Sequence, residues 1–158
     1  MTKRSAGIVM FRWRQRTPEL LLVHPGGPFW AKKDAGAWSI PKGLFESDED
    51  ALSAAKREFE EETGCRPDGL FLELGSFRQP GGKTIWAWGV EGEYDLAAFR
   101  SNVFSMEWPP KSGRIQQFPE VDRAGWFGPP EAVQKISRGQ VAIIEALLAK
   151  LGATSDRD

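Results

Sequence analysis

The stretch Gly43–Cys65, GLFESDEDALSAAKREFEEETGC, decides how the rest of the chain is read. Its second half places apolar residues at helical spacing: at about 100° per residue, Leu52, Ala55 and Phe59 fall on one stripe. Ser47 stands where an N-cap belongs, with Asp48, Glu49 and Asp50 in a first turn whose dipole favours anions. Gly64 stands where helices commonly end. These signals predict a helix over 48–63. Beside its apolar stripe, Glu58, Glu61 and Glu62 sit at helical-neighbour spacing, so their carboxylates gather on one patch. Like charges so placed repel, and the patch is either a solvated face or the seat of a cation. Hard oxygen donors suit Mg²⁺ or Mn²⁺. Arg57, next in the chain, can pin one carboxylate through a bidentate pair.

Upstream, SAGIVMFRW and ELLLVHP are apolar, β-branched runs that predict two strands joined by a turn near Thr17 and Pro18. PGGPFWAKKDAG reads as a loop, and AWSI is a short run leading into Pro41. Downstream, GLFLELGSF and KTIWAWGVEG predict a strand pair across RQPGG, with Trp86 and Trp88 on one face by period two. NVFSMEW is a further strand, RAGWFGP a short strand or turn, and the C-terminal region one broken helix or two successive ones. Strands before and after a central helix, closed by a helix, indicate an α/β fold with a mixed sheet and helices on both faces. One domain is expected over residues 1–152, followed by a short disordered tail, ATSDRD, over 153–158.

The composition narrows the partners. With 21 basic and 22 acidic side chains the net charge is −1, so no whole-protein field draws the chain to nucleic acid or an acidic membrane. Any anion site must be local. The single cysteine, Cys65, excludes an internal disulfide and a cysteine-rich zinc site, and fits a reducing, cytoplasmic setting. Neither a signal peptide nor a transmembrane span is expected.

The full pattern is Gly43, five residues, Glu49, seven residues, Arg57, Glu58, Phe59, any residue, Glu61, Glu62, any residue, Gly64 and Cys65. It resembles the signature box of the Nudix hydrolases. Phe59 and Cys65 stand where that family usually carries Ile, Leu or Val, and both remain apolar. The resemblance extends from the first strand near Ala6 to the helix ending near Leu151. It implies a three-layer α/β/α sandwich that hydrolyses a nucleoside diphosphate linked to another group, with Mg²⁺ or Mn²⁺ as cofactor. Carried over residue by residue, Glu58, Glu61 and Glu62 look like metal ligands, joined by the backbone carbonyl of Lys42, with Glu49 behind them and Arg57 orienting a box glutamate. The proton acceptor is Glu61, Glu62 or a glutamate on a later loop ahead of a tryptophan that begins the last strand. Glu120, six residues before Trp126, resembles that last arrangement and also joins the metal set.

The segment GAWSIPKG before the box resembles the branch that cleaves diadenosine polyphosphates and diphosphoinositol polyphosphates. Lys42, Lys83 and Arg78, with Lys32 and Lys33, are the expected phosphate contacts. Trp38 and Trp86 are expected among the substrate-binding residues, and Trp30, Trp86 and Trp88 are candidate surfaces for a nucleobase. His24 is expected as a packed strand-end residue. Two features point elsewhere: the only tyrosine, Tyr94, lies far beyond the box, and Pro80 falls fifteen residues after Cys65, as in ADP-ribose pyrophosphatases. That family usually carries Pro-Ala-Gly where this sequence has Pro41-Lys42-Gly43, so dinucleoside polyphosphates, such as diadenosine tetra- or hexaphosphate, rank first as substrate. ADP-ribose ranks second and mononucleoside triphosphates third. A Nudix module that senses a nucleotide without cleaving it is the alternative from another class. Nucleic acid and membrane partners are not expected; the residues leave the oligomeric state open, and the resemblance implies a homodimer as one option, since Nudix relatives commonly pair.

Overall fold

In the computed structural model, which describes residues 3–152, the strand Arg4–Arg14 (β1) is the spine of the molecule. Its alternation sends Ala6, Ile8 and Met10 to one side and Val9 and Phe11 to the other. The strand Thr17–Pro25 (β2) returns antiparallel to it. The turn lies at Gln15–Arg16, with Gln15 left-handed at φ 59°, so Thr17 and Pro18 are already in β2 rather than in the turn.

Only the C-terminal part of β1, Phe11–Arg14, pairs with β2. Its N-terminal part, Ser5–Gly7, pairs on the same edge with the three-residue strand Lys42–Leu44 (β3), so the two neighbours diverge from one strand. The other edge of β1 runs parallel to Thr84–Glu91 (β5), which carries Leu72–Arg78 (β4) antiparallel outside it. Val121–Phe127 (β8) closes the opposite edge against β2. The order is β4-β5-β1-β2-β8, with β3 attached to β1, a mixed sheet as expected. Val103–Glu107 (β6) and Ile115–Pro119 (β7) form a separate two-stranded ribbon.

The helix Ala51–Thr63 (α1) covers one face, packing Ala54, Ala55 and Phe59 on Ala6, Ile8, Met10, Leu21 and Val90. The helices Pro129–Lys135 (α2) and Val141–Leu151 (α3) cover the other, where Ile136, Ile143, Ile144 and Leu147 meet Val9, Leu20, Leu22, Ile40 and Ile85. Each large side chain so enclosed is worth about 1.5–3 kcal/mol. The three layers are those of an α/β/α sandwich.

Several local expectations are corrected. α1 starts at Ala51, three residues late, and its cap is Asp50, which accepts the Ser53 N–H at 3.0 Å, rather than Ser47. The reason is that the preceding residues have other bonds to make: Phe45 N–H donates to the Arg4 carbonyl, and Glu49 N–H closes a turn on Glu46. The inward stripe is Ala54, Ala55, Phe59 and Thr63, with Leu52 only partly covered. The short run AWSI pairs through isolated bridges, Ser39 with Val23 and Trp38 with Ile136. Trp126 lies near the end of the last strand, not at its start. The tail expected at 153–158 lies outside the described residues.

Candidate active site

The box residues meet where β3 passes α1. Gly43 lies directly against Glu58: a β-carbon on it would lie 1.9 Å from Glu58 Oε1, so that side chain would have to shift. One position upstream, the Lys42 N–H donates to Glu62 Oε1 at 3.3 Å. The short strand thus touches two of the three clustered glutamates through its backbone.

Arg57 organises the remainder. Its Nε and Nη2 fork onto both oxygens of Glu49, at 3.1 and 3.0 Å, while Nη1 reaches Glu58 Oε2 at 2.5 Å and Glu61 Oε1 at 3.6 Å. Held first by the Glu49 hydrogen bonds, the guanidinium's pKa moves further up. Arg57 therefore restrains two of the clustered carboxylates from outside the cluster, and Glu49 restrains Arg57.

The charge of the cluster is not compensated by this arrangement. Burial, then the neighbouring carboxylates Glu58 and Glu120, push Glu62 up to about 8, against the pull of the Lys42 N–H and ammonium. Glu58 is likewise raised, by burial and by Glu61 and Glu120, more than Arg57 lowers it. Lys42 is pulled down by burial, with Lys83 adding to the effect. Two carboxyls driven towards protonation are what a cation would relieve, and a cluster of carboxylates suits a hard divalent ion. As the side chains stand, no three His, Cys, Asp or Glu among the described residues converge to metal-holding distances. Glu58 is instead turned to Arg57, and Glu62 to Lys42.

Glu120 comes to the same place from the far end of the sequence. It is the exposed residue between β7 and β8, and its carboxylate acts on both Glu58 and Glu62. Its backbone is fixed on both sides: Gly26 N–H donates to its carbonyl at 3.0 Å, and its own N–H donates to the Asn102 carbonyl at 2.7 Å. Asn102 N–H in turn donates to the Glu61 carbonyl at 3.0 Å. Neither Asn102 nor Gly26 carries a sequence signal for this role, because both act through the main chain.

The basic residues divide. Lys83 is close enough to lower the Lys42 ammonium, so these two expected phosphate contacts share one neighbourhood. Arg78 is exposed at the end of β4, opposite Thr84. Trp38, expected among the substrate-binding residues, is 5% exposed, packs edge-on against His24 and Phe127, and spends its indole N–H on Asp34 at 2.8 Å. Trp86 is half-buried on the α1 side, edge-on to Phe45. Trp88 packs with the core there, and Trp30 is exposed under the Lys33 ammonium. His24 is buried between Asp122, 2.9 Å from Nδ1, and the Lys33 carbonyl, 2.6 Å from Nε2, as a packed strand-end residue should be. Tyr94 gives its hydroxyl to the Thr63 carbonyl at 2.6 Å and so anchors the end of α1.

Residues 1–147 match the family model of the NUDIX domain. The fold is similar to the NUDIX domain of Shewanella oneidensis NrtR complexed with ADP ribose, at 17% identity and a TM-score of 0.65, over 96% of this chain and 89% of that one. It is also similar to a C. elegans Ap4A hydrolase in a binary complex, at 18% identity and 0.62, over 94% and 98%. A mutT/nudix family protein from Listeria innocua gives 17% identity and 0.63, over 95% and 94%. At these identities the likeness is one of fold. No curated protein matches the chain by sequence.

Proposed function

The chain belongs to the Nudix family of pyrophosphohydrolases, and from that premise we propose that it cleaves the phosphoanhydride of a dinucleoside polyphosphate, with Mg²⁺ as the working ion and Mn²⁺ as a substitute. The observation that carries this reading is the uncompensated cluster: Glu58 driven up by burial and Glu61, Glu62 by burial and Glu58, with Glu120 adding its charge to both and Lys42 and Lys83 alongside. Nudix enzymes generally use divalent ions. Here Glu58, Glu61, Glu62 and the Lys42 carbonyl are the residues that would hold one, with Glu120 at their side. Such an ion, when bound, neutralises phosphate charge and makes a coordinated water more acidic.

The chain's own groups supply the rest. Lys42 and Lys83 bind phosphate oxygens as point charges, and a long polyphosphate rewards more than one of them. Arg57 holds the box glutamates in register through its fork on Glu49. Glu120 is the carboxylate we assign to take the proton from the attacking water. It is exposed, its backbone is pinned on both sides, and its carboxylate takes no hydrogen bond or ion pair among the described residues. Glu61 and Glu62 are the alternative acceptors. Trp86 and the exposed Trp30 are the candidate base surfaces that remain, since Trp88 packs with the core.

A second reading is ADP-ribose or a related sugar nucleotide. It rests on Pro80 and on the similar domain solved with ADP ribose. The deciding experiment offers diadenosine tetraphosphate, diadenosine hexaphosphate, ADP-ribose and dGTP side by side with Mg²⁺, and resolves products by chromatography, with Glu61→Gln as control. Preferential dinucleotide cleavage that the substitution abolishes supports the proposal. ADP-ribose cleavage selects the second reading, and binding without cleavage of any of them selects a sensing module.

A further inference from the structure

The segment that delivers Lys42 and Gly43 to the glutamates crosses the gap between β2 and β3, and regular sheet pairing does not hold all of it. Ser39 exchanges both backbone bonds with Val23, at 2.8 and 2.9 Å, and the Pro41 carbonyl takes the Ile8 N–H at 3.1 Å. Pro41 itself has no N–H to offer. Between them lies Ile40, fully buried at 0% exposure, whose peptide N–H and C=O both need partners.

Those partners are two side chains. The Ile40 N–H donates to Gln140 Oε1 at 3.0 Å, and the Ile40 carbonyl accepts from Ser39 Oγ at 2.7 Å. The Gln140 Nε2 then donates to Ser39 Oγ at 2.9 Å, which leaves the serine hydrogen to point at the Ile40 carbonyl. The circuit is closed, and it needs a group that donates and accepts at once. Gln140 is 3% exposed, stands at the start of α3 a hundred residues from Ile40, and reaches it with no solvent between. Two residues beyond this clamp the Lys42 N–H meets Glu62, and three beyond it Gly43 lies against Glu58.

We infer that Gln140 is a positioning residue for the metal site: its carboxamide, with Ser39, sets the height of the Ile40–Gly43 segment over Glu58 and Glu62. The inference rests on the metal-site reading above. Partners behind the ligands of a metal commonly change its affinity by about 10–100-fold when removed. Gln140 acts on the ligand set through one strand, from the helical layer opposite to α1.

The test is Mn²⁺ binding by calorimetry, without substrate, to wild type, Gln140→Leu, Gln140→Glu and Ser39→Ala, with Leu147→Ala as a core substitution that also destabilises α3 but lies outside the circuit. Gln140→Leu is expected to weaken Mn²⁺ by about tenfold or more, and Ser39→Ala in the same direction by less. Gln140→Glu keeps the acceptor for Ile40 but loses the donor to Ser39, and falls between wild type and Gln140→Leu. Leu147→Ala lowers the melting temperature and leaves Mn²⁺ affinity unchanged. Amide exchange over residues 38–43 rises in Gln140→Leu while the middle of α1 stays protected. Wild-type affinity in both Gln140→Leu and Ser39→Ala, or an equal loss in Leu147→Ala, overturns the inference. Should Gln140→Leu not fold, Ser39→Ala decides alone. A wild-type protein that binds no Mn²⁺ overturns the metal-site reading instead, and the inference with it.

Discussion

Glu61 and Glu120 are joined through a single residue: Asn102 donates its N–H to the Glu61 carbonyl at 3.0 Å and accepts the Glu120 N–H at 2.7 Å. The helix that carries the box and the loop that carries the assigned proton acceptor are therefore held at a fixed spacing by main-chain bonds. Asn102→Pro removes the donor to Glu61 and is expected to lower kcat by about 10- to 100-fold, since misplacing a reacting group by about 1 Å can cost about 100-fold. Asn102→Ala keeps both bonds and should turn over as wild type does. Steady-state rates on the two variants make the comparison, and a silent proline variant would show that the spacing is set elsewhere.

Gly43→Ala tests the close approach of β3 to Glu58. The added carbon would lie 1.9 Å from Oε1, so the carboxylate or the strand must move. Overpacking of this kind costs roughly 1–3 kcal/mol of stability. The larger expected effect is a loss of activity of about 100-fold from displaced geometry. Melting and kcat measured together separate the two: a folded protein with lost activity supports the assignment of Glu58, whereas unchanged activity removes it.

How much of this was legible beforehand differs by element. The box was readable because helical spacing and the Nudix pattern fix Glu58, Glu61 and Glu62 relative to one another inside a single element. The mixed sheet and the two helical layers followed from apolar runs of strand and helix period. The start of α1 was not legible, because Phe45 and Glu49 are engaged by Arg4 and Glu46, which no local propensity reports. The packing of Trp38 was not legible for a related reason: its contacts with His24 and Phe127 depend on how distant strands are brought together. Asn102 and Gln140 were invisible: one works through its backbone, and the other meets a partner a hundred residues away. Glu120 was named for its position before Trp126, and it stands near the cluster even though Trp126 lies near the end of the strand instead of beginning it.

Arg57→Lys tests whether the guanidinium acts as a fork or as a charge. Lysine keeps the positive charge but cannot span both oxygens of Glu49 while also reaching Glu58. We expect KM to change little and kcat to fall by about tenfold or more, with Arg57→Ala only modestly worse, because orientation of the glutamates is the part lost. Equal rates for Arg57→Lys and wild type would assign Arg57 a purely electrostatic part.

Glu62 gives the metal-free protein a pH dependence whose sign is fixed. Its pKa is about 8 in the folded state against a reference of 4.5, so between those values the folded protein binds more protons than the unfolded chain. Unfolding free energy therefore falls as pH rises across that window and levels off above it. The gap is worth at most about 4–5 kcal/mol at 1.36 kcal/mol per unit, less whatever solvent at the carboxylate screens. Glu58, raised in the same direction, adds to the loss. Lys42, whose pKa is lowered, works the other way only at the alkaline end, where the folded lysine gives up its proton before the unfolded one does. Thermal melts in a chelator should show a midpoint that drops by on the order of 10 °C between pH 5 and 8. Glu62→Gln should flatten that slope and melt higher than wild type at pH 8. Adding Mg²⁺ should raise the wild-type midpoint most at the alkaline end, where the carboxylates are free to bind it, and hardly at all in Glu62→Gln. A metal-free protein whose melting is independent of pH from 5 to 8 would mean that Glu62 is solvated and that the cluster carries no strain for an ion to relieve.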